Sequence, residues 1–495
     1  MKFTRPTIEP VAVDELAKNF DLINNSQNLK VSGITHNAES VAPGDLFVAL
    51  KGDKTHGAKY VSEAIKNGAV SVLTDPEGSG LINDAQISQL ISDNPRQILG
   101  ELSAQIYGNP SKKLKVFGIT GTNGKTTTAW LIKTGLEKCG VKTGLLGTAG
   151  ITIGNLEIAS ERTTPEATEL QALMALCLEK GMKVLAMEVS SHAIALQRVK
   201  STHFETVGFT NLSQDHLDFH KDMQEYFEVK AELFTQKYSS RSVINTSDDW
   251  GKELAKRTNL MNETVGDDVT NDWRVSDIIT AAGHLNFNIQ FQNKNKFATE
   301  LNFAGIFNAF NAAVAIAMVS KLDIDLNQFI DGIKNVQIPG RMQPIVVKNA
   351  ALGIVDYAHS PEAIENVLAA LKNQTSGKLI AVIGAGGNRD SAKRPLMGEV
   401  SAKYADNLII TDDNPRNEEP STIRKSIING IKNKNYHEVS DRQEAIKYAV
   451  SISKENDVIA VLGKGHENYQ EIAGQIYEFS DAVHLEKALI EKFGN

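Results

Sequence analysis

The chain has 495 residues, a length that suggests about three domains. Apolar residues make up 41% of it, which suits a folded globular protein and excludes wholesale disorder. The formal net charge of −8 gives no general attraction to nucleic acid or to an anionic membrane, so an anionic ligand has to be held by local basic groups. Two cysteines, Cys139 and Cys177, are too few for a disulfide framework. Both sit in helical patterns among apolar neighbours and are expected to be buried thiols in a reducing compartment. Met1 to Val13 carries no long apolar run, and no segment has the length of a membrane-spanning helix. A cytoplasmic location, without membrane insertion, is the expectation.

The predicted fold class is α/β throughout, in three domains placed at 1–110, 111–342 and 343–495. In the first, Pro43 to Leu50 predicts a turn and a buried strand, Tyr60 to Ala69 a helix, and Val70 to Leu73 a second strand. The loop Lys54-Thr55-His56-Gly57 is expected to be a solvated surface loop. The polar run Tyr107 to Lys113 predicts the first linker.

The second domain opens with Gly118-Ile-Thr-Gly-Thr-Asn-Gly-Lys-Thr-Thr-Thr128. Leu114 to Ile119 predicts a buried strand. A helix follows from Thr126, with Thr128, Leu131, Ile132, Leu136 and Cys139 on one face and Gly140 as its cap. Strand, glycine loop and helix in this order form a phosphate cradle. Gly121 and Gly124 let the backbone approach an anion, Lys125 reaches the terminal phosphates, and the Thr126 hydroxyl faces Mg2+. The strict pattern G-x-x-x-x-G-K-[ST] has Ile119 at its first glycine. Lys183 to Met187 and Val207 to Thr210 predict strands that end in Glu188-Val-Ser-Ser-His192 and in Asn211 to Asp218. Ligands gather beyond such strand ends, which makes Glu188 and His216 candidates for metal, with Asp215 and Asp218 as competitors. Thr163 to Thr168 predicts a capped helix start, and capping alone would account for it. Lys230, between Glu228 and Glu232 on an amphipathic helix, is on composition a surface lysine. Val265 to Phe297 carries no clear pattern. Gly305 to Met318 predicts a helix whose Asn308 and Asn311 either cap it or read an adenine edge.

Beyond Gly340-Arg341, four strands are predicted: Leu352–Asp356, Lys378–Gly384, Asn407–Thr411 and Val458–Leu462. The last three end in Ala385 to Asp390, Asp412 to Arg416 and Gly463 to Glu467, which predicts one concave site. The run after Ile383 fails the dinucleotide pattern because Arg389 fills its last glycine position. Arg389 and Arg416 can grip carboxylates and Glu467 can hold an ammonium group, a set that matches an amino acid.

Together Gly121 to Thr126, Glu188 to His192, Asn211 to His216, Asn308 with Asn311, Gly340-Arg341 and Asp356-Tyr-Ala-His359 resemble the Mur ligases, ATP-dependent amide-bond ligases of bacterial cell-wall synthesis. The resemblance implies a UDP-binding domain, an ATPase domain and a Rossmann-like domain for the incoming amino acid. It implies ATP and Mg2+ as cofactors and an acyl-phosphate intermediate. Asp413-Asn-Pro-Arg416 resembles the signature of members that add meso-diaminopimelate to UDP-N-acetylmuramoyl-L-alanyl-D-glutamate. By the same resemblance Lys125, Lys230, His216 and His359 serve catalysis. Gly121, Thr122, Asn123, Gly124, Lys125, Thr126, Thr127, Asn308, Arg341 and Asp356 bind ATP. Thr163, Thr164, Ser190 and Arg198 bind the UDP-muramoyl dipeptide. Arg389, Asp413, Asn414, Arg416, Gly463 and Glu467 bind the amino acid. Thr126, Glu188, His216 and a carbamylated Lys230 hold metal. Only small-molecule partners and a monomer are implied.

Many relatives carry Asp-Ser-Arg before the Pro-Gly-Asp turn, where this chain has Asn37-Ala38-Glu39. The alternatives are a lysine-adding ligase of the same family and, in another class, a P-loop NTPase or phosphotransferase. Against lysine, Arg416 would stay buried and unpaired beside a substrate that lacks a second carboxylate. Folylpolyglutamate synthetases carry Gly-Lys-Gly-Ser after the loop Asn, and Thr126 here argues against them; a binding protein without catalysis would not need Lys125, Thr126, Glu188, His216 and Lys230 together.

Overall fold

The computed structural model describes residues 3–24, 28–52, 55–83, 87–281, 284–292, 294–432 and 435–494. Among them three large sheets follow one another along the chain. The first pairs Ile23–Asn24, Ser88–Ile91, Ser71–Thr74, Asp45–Val48 and Gly33–Thr35 in that order, parallel except at the Ile23–Asn24 edge.

The second sheet has 11 strands. Its parallel centre runs Thr143–Gly147, Val184–Glu188, Lys115–Thr120, Thr206–Phe209, Arg241–Asn245. The helices Lys125–Lys138 and Phe307–Val319 cover one face, on Phe117, Ile132, Val314 and Trp273. The helices Ala167–Glu179 and Met223–Ala231 cover the other, on Val116, Leu185 and Phe227. Burial on both faces explains why these strands are continuous apolar runs rather than alternating ones.

The third sheet has six strands: Gln343–Ile345, Leu352–Asp356, Val458–Leu462, Leu379–Ile383, Asn407–Ile410 and Tyr436–Glu438, parallel except for the first pair. Helices sandwich it, among them Pro361–Gln374 on one side and Arg442–Ile452 with Asp481–Phe493 on the other. Arg442 and Asp481 form a fully buried two-pronged pair at 2.7 Å. Arg442 also donates to the Leu462 carbonyl at 3.0 Å, so the pair fixes the end of a central strand.

Several expectations change here. Val265 to Phe297 lies largely in strands: Trp273–Ala281, His284–Phe291 and the start of Asn295–Leu301. Leu285, Phe287 and Ile289 point inward in turn, an alternation half hidden by asparagines. The helix after Thr163 begins at Ala167, capped by Glu166 in a reciprocal box with Glu169, so neither threonine caps it. The predicted Tyr60–Ala69 helix shortens to Val61–Lys66 behind a 3-10 turn. Cys139 is half-buried, while Cys177 is buried and its thiol is pushed up to about 12 by burial. In the Lys54 to Gly57 loop, Lys54 lies outside the described residues. His56 is buried rather than solvated, between the Asp75 carboxylate at 3.1 Å and the Ala58 N–H at 3.0 Å. No described helix is long and apolar enough to cross a membrane.

Candidate active site between the second and third sheets

The turn from Thr120 into the Lys125–Lys138 helix has Gly121 at φ +148° and Gly124 at φ +87°. A Cβ on Gly121 would strike the Thr210 hydroxyl, and one on Gly124 would strike the Asn311 amide. Both positions therefore need glycine for conformation and for space. The loop is laced to the end of the neighbouring strand. Thr122 N–H donates to the Asn211 carbonyl and Asn123 N–H to the Asn211 side chain, both at 2.9 Å, and the Thr210 hydroxyl donates to the Asn123 carbonyl at 2.6 Å.

Lys125 Nζ donates to the carbonyls of Thr122 at 2.8 Å and Gly121 at 2.9 Å. Burial lowers its pKa. Lys230 is not on the surface: its side chain is 1% exposed and Nζ donates to the same Gly121 carbonyl at 3.0 Å. Its helix buries Tyr226, Phe227 and Lys230 on one stripe, while Glu228 and Glu232 face outward to Arg257 and Lys237. Burial, then repulsion from Lys125, holds Lys230 well below the ordinary lysine value.

Asp215, expected only as a competitor for metal, is the hub of the cleft. His216 of its own loop lies 3.6 Å away. From the third sheet's side, Lys393 donates to it at 3.2 Å and His359 lies 3.5 Å away. Burial alone would raise its pKa; His359, His216 and Lys393 outweigh that and hold it well below the usual carboxylate range. His216 sits at φ +56°, and burial, against the attraction of Asp215, lowers it to about 3. It is a neutral imidazole at ordinary pH. Glu188 is buried at its strand end and accepts from Thr148 N–H at 2.8 Å and the Thr148 hydroxyl at 3.1 Å.

Arg341 crosses between the sheets and donates to the Thr126 hydroxyl at 3.1 Å, its guanidinium 4.6 Å from the Tyr357 ring centre. Asp356 is buried, accepts from Met342 and Ala358 N–H at 2.6 and 2.8 Å, and is raised by desolvation against the pull of Arg341. Beside Gly124 opens a cavity of about 450 Å³, walled by Thr127, Asn308, Asn311, Phe307, Asp356 and Asn366 among others. Asn308 and Asn311 do not cap their helix: Asn308 donates to the Ala304 carbonyl and Asn311 to Asn308.

Thr163, Thr164, Ser190 and Arg198 form one group under Glu188. The Thr163 hydroxyl lies 3.0 Å from that of Thr148. Thr164 donates to the Glu188 carbonyl at 2.9 Å and accepts from Ser190 N–H at 3.1 Å. Arg198 pairs with Glu166 at 2.8 Å and donates to the Thr164 carbonyl at 3.4 Å. Toward the first sheet, Asn37, Glu39, Thr55, Gly57 and Arg96 line a cavity of about 410 Å³.

The third sheet's loops meet at Asn414. Its amide donates to Glu467 at 2.8 Å, and its oxygen accepts from Lys464 at 2.9 Å. Lys464 is fully buried and also pairs with Glu467 at 3.1 Å, so the ammonium that Glu467 holds here is the chain's own. Gly463, at φ +119°, leaves room for Asp413. Arg416 donates to the Gly387 carbonyl at 2.8 Å and pairs with Glu471 at 3.2 Å, which corrects its expected unpaired state. Arg389 is mostly exposed, 4.0 Å from Asp218, and is not drawn into the Asn414 group. Lys393, Lys464, Thr148 and Glu471 were missed; Lys464 alone had a signal, lying inside the Gly463 to Glu467 run.

Known proteins resemble the chain over nearly its whole length. Residues 30–107, 119–319 and 340–465 match the profiles "Mur ligase family, catalytic domain", "Mur ligase middle domain" and "Mur ligase, glutamate ligase domain". A Streptomyces coelicolor protein named UDP-N-acetylmuramoyl-L-alanyl-D-glutamate–2,6-diaminopimelate ligase is 40% identical over 491 residues, covering 97% of each chain. An Aquifex aeolicus protein of the same name is 43% identical over 93% of this chain and 94% of its own. A solved structure of a ligase with that name superposes with TM-score 0.68 at 31% identity, over 98% of this chain and 99% of that one. MurF ligase from Thermotoga maritima in complex with ADP shares the fold at 20% identity and TM-score 0.67, over 93% and 98%. With the phosphate loop, the three successive sheets and these matches in agreement, the chain belongs to the Mur ligase family.

Proposed function

We propose that this protein joins meso-2,6-diaminopimelate to UDP-N-acetylmuramoyl-L-alanyl-D-glutamate at the expense of ATP, in peptidoglycan synthesis. The observation that carries it is the meeting of two sets of groups in one cleft. A phosphate cradle on the second sheet faces Arg341, His359 and Lys393 of the third, and the third sheet's loops gather the Asp413 to Arg416 and Gly463 to Glu467 runs. The names of the relatives agree with it.

An acid and an amine otherwise form an unreactive salt. ATP converts the glutamyl carboxylate into an acyl phosphate, the amine of diaminopimelate attacks, and a tetrahedral intermediate expels phosphate. Gly121 to Thr127 and Lys125 hold the phosphates, and the cavity beside Asn308 and Asn311 takes the adenosine. Thr163, Thr164, Ser190 and Arg198 orient the muramoyl dipeptide. Asp413, Asn414, Arg416, Gly463 and Glu467 take the amino acid, with Arg389 at its rim. Alignment of three substrates lowers the barrier by roughly 7–11 kcal/mol at best.

No cluster of three His, Cys, Asp or Glu side chains suited to a metal occurs among the described residues. The buried Glu188 carboxylate, the neutral His216 and the Thr126 hydroxyl fit Mg2+, which takes few protein ligands and completes its shell with phosphate and water. Held there, Mg2+ would supply positive charge to offset that on the transferring phosphoryl group. Burial and the neighbouring Lys125 lower the pKa of Lys230, which favours the neutral amine, the form that takes up CO2 as a carbamate, an anionic ligand in place of a cation.

We place the domain limits at 1–110, 111–342 and 343–495, and the protein in the cytoplasm as a monomer. The test is phosphate release from ATP and Mg2+ with the UDP-muramoyl dipeptide, comparing meso-diaminopimelate, L-lysine and no amino acid. Release with diaminopimelate alone, and a tripeptide product by mass, is expected. Release that ignores both dipeptide and amino acid would leave a P-loop NTPase.

A further inference from the structure

The hairpin Tyr469–Ile472 and Gln475–Glu478 stands largely in solvent, yet three successive residues of its first strand each touch a different part of the Asn414 group. The Tyr469 ring lies 5.5 Å from Lys464 Nζ. The Gln470 amide donates to the Asp413 carbonyl at 2.7 Å. Glu471 N–H donates to the Asn414 side chain at 3.0 Å. Glu471 then meets Arg416 twice more: its carbonyl accepts from Arg416 N–H at 3.0 Å, and its carboxylate lies 3.2 Å from Arg416 Nε. Ala473 N–H donates to the Arg416 carbonyl at 2.7 Å.

Arg416 needs such a brace. Its backbone sits at φ +53°, a left-handed conformation that a non-glycine side chain adopts at a cost. Its guanidinium donates from Nη1 to the Gly387 carbonyl at 2.8 Å, and its Nε is ion-paired with the Glu471 carboxylate 3.2 Å away. A planar fork tied by one hydrogen bond and one ion pair is restricted in how it presents its remaining donors. A two-stranded hairpin is marginal by itself, so these contacts secure the hairpin as well as the arginine.

We propose that Glu471 is a positioning residue for amino-acid selection: it fixes Arg416 so that the guanidinium meets the distal carboxylate of the incoming amino acid already oriented. The role rests on the proposed function, since it needs Arg416 to bind that carboxylate. A group fixed before binding loses less freedom when the ligand arrives, and that gain is seen in affinity.

The test uses the full chain as wild type, Glu471→Ala and Glu471→Gln, with KM and kcat for meso-diaminopimelate, KM for ATP, and thermal melting of each. Loss of one charge-assisted contact predicts about a tenfold higher KM for diaminopimelate in E471A, with kcat and KM for ATP within about twofold. E471Q keeps the size of the side chain without the charge that pairs with Arg416 and is expected between E471A and wild type. An unchanged or lowered KM in E471A would overturn the role, a lowered one making Glu471 a competitor for Arg416. So would a loss spread over all substrates with a large fall in melting temperature, the mark of a structural residue. Wild-type turnover that never depends on diaminopimelate would sink the proposed function, and the role of Glu471 with it.

Discussion

Lys125 and Lys230 turn their ammonium groups on one atom, the Gly121 carbonyl oxygen, at 2.9 and 3.0 Å. No carboxylate lies within ion-pair distance of either among the described residues. Two buried cations that share a neutral acceptor and have only neutral oxygens beside it are poorly compensated, and burial depresses both. The strain on Lys230 is relieved when it is neutral and reversed when it carries a carbamate. With 13C-labelled bicarbonate the wild type is expected to show a carbamate resonance that Lys230→Ala lacks. Lys230→Arg, which stays charged, should lose about 100-fold or more in kcat, as K230A should. Near-normal turnover of K230R would rule the carbamate out of the reaction.

The sequence made the scaffold plain and the ion pairs obscure. Leu379 to Ile383 and Val458 to Leu462 are unbroken apolar runs, and a strand buried on both faces has that signature. The phosphate loop was legible because glycine positions are dictated locally. Lys230 was not, because the carbonyl it serves lies 109 positions earlier in the chain. Composition gave only its two neighbouring glutamates, which the helix turns the other way. Likewise Asp215 and Lys393, 178 positions apart, carry no mutual mark in sequence. Glu471 escaped notice because the strained backbone of Arg416 that it braces is a property of the folded loop.

Asp215 joins groups from both sides of the cleft, so its loss is felt by both. Asp215→Asn removes the counter-charge of Lys393, which is buried, and leaves an uncompensated cation. Breaking one side of such a pair costs about 3–5 kcal/mol. Urea unfolding at neutral pH is the measurement. The double change Asp215→Asn with Lys393→Met should recover a large part of the loss. A single variant as stable as the wild type would mean that water already screens the pair.

His466 gives a pH dependence with a definite sign. Burial, and then Arg341, lowers it to about 4. Unfolded, it titrates near the ordinary value of about 6.5. Between these values the unfolded chain binds the proton and the folded one does not, so stability rises with pH. Its contribution is complete above about 6.5 and is lost as pH falls towards about 4, at up to roughly 1.4 kcal/mol per pH unit. His466→Gln should flatten the slope of unfolding free energy across that window by about one proton. Equal slopes would place the proton elsewhere, His192 being lowered in the same sense.

The last prediction concerns how sharply diaminopimelate is told from lysine. Were Arg416 left without a partner, lysine would strand a charge, and the discrimination would be very large. Glu471 removes that penalty, because Arg416 is paired whether or not a second carboxylate arrives. What remains is the direct contact, about 1.5–3 kcal/mol for a charge-assisted bond, or about 10- to 150-fold in kcat/KM. Arg416→Ala should erase that ratio by depressing diaminopimelate turnover while leaving any lysine turnover where it was. Competition between the two amino acids at equal concentration, read by product mass, measures the ratio directly. A wild-type ratio above about 10⁴ would mean that an unpaired charge is created after all, and that Glu471 leaves Arg416 when the amino acid binds.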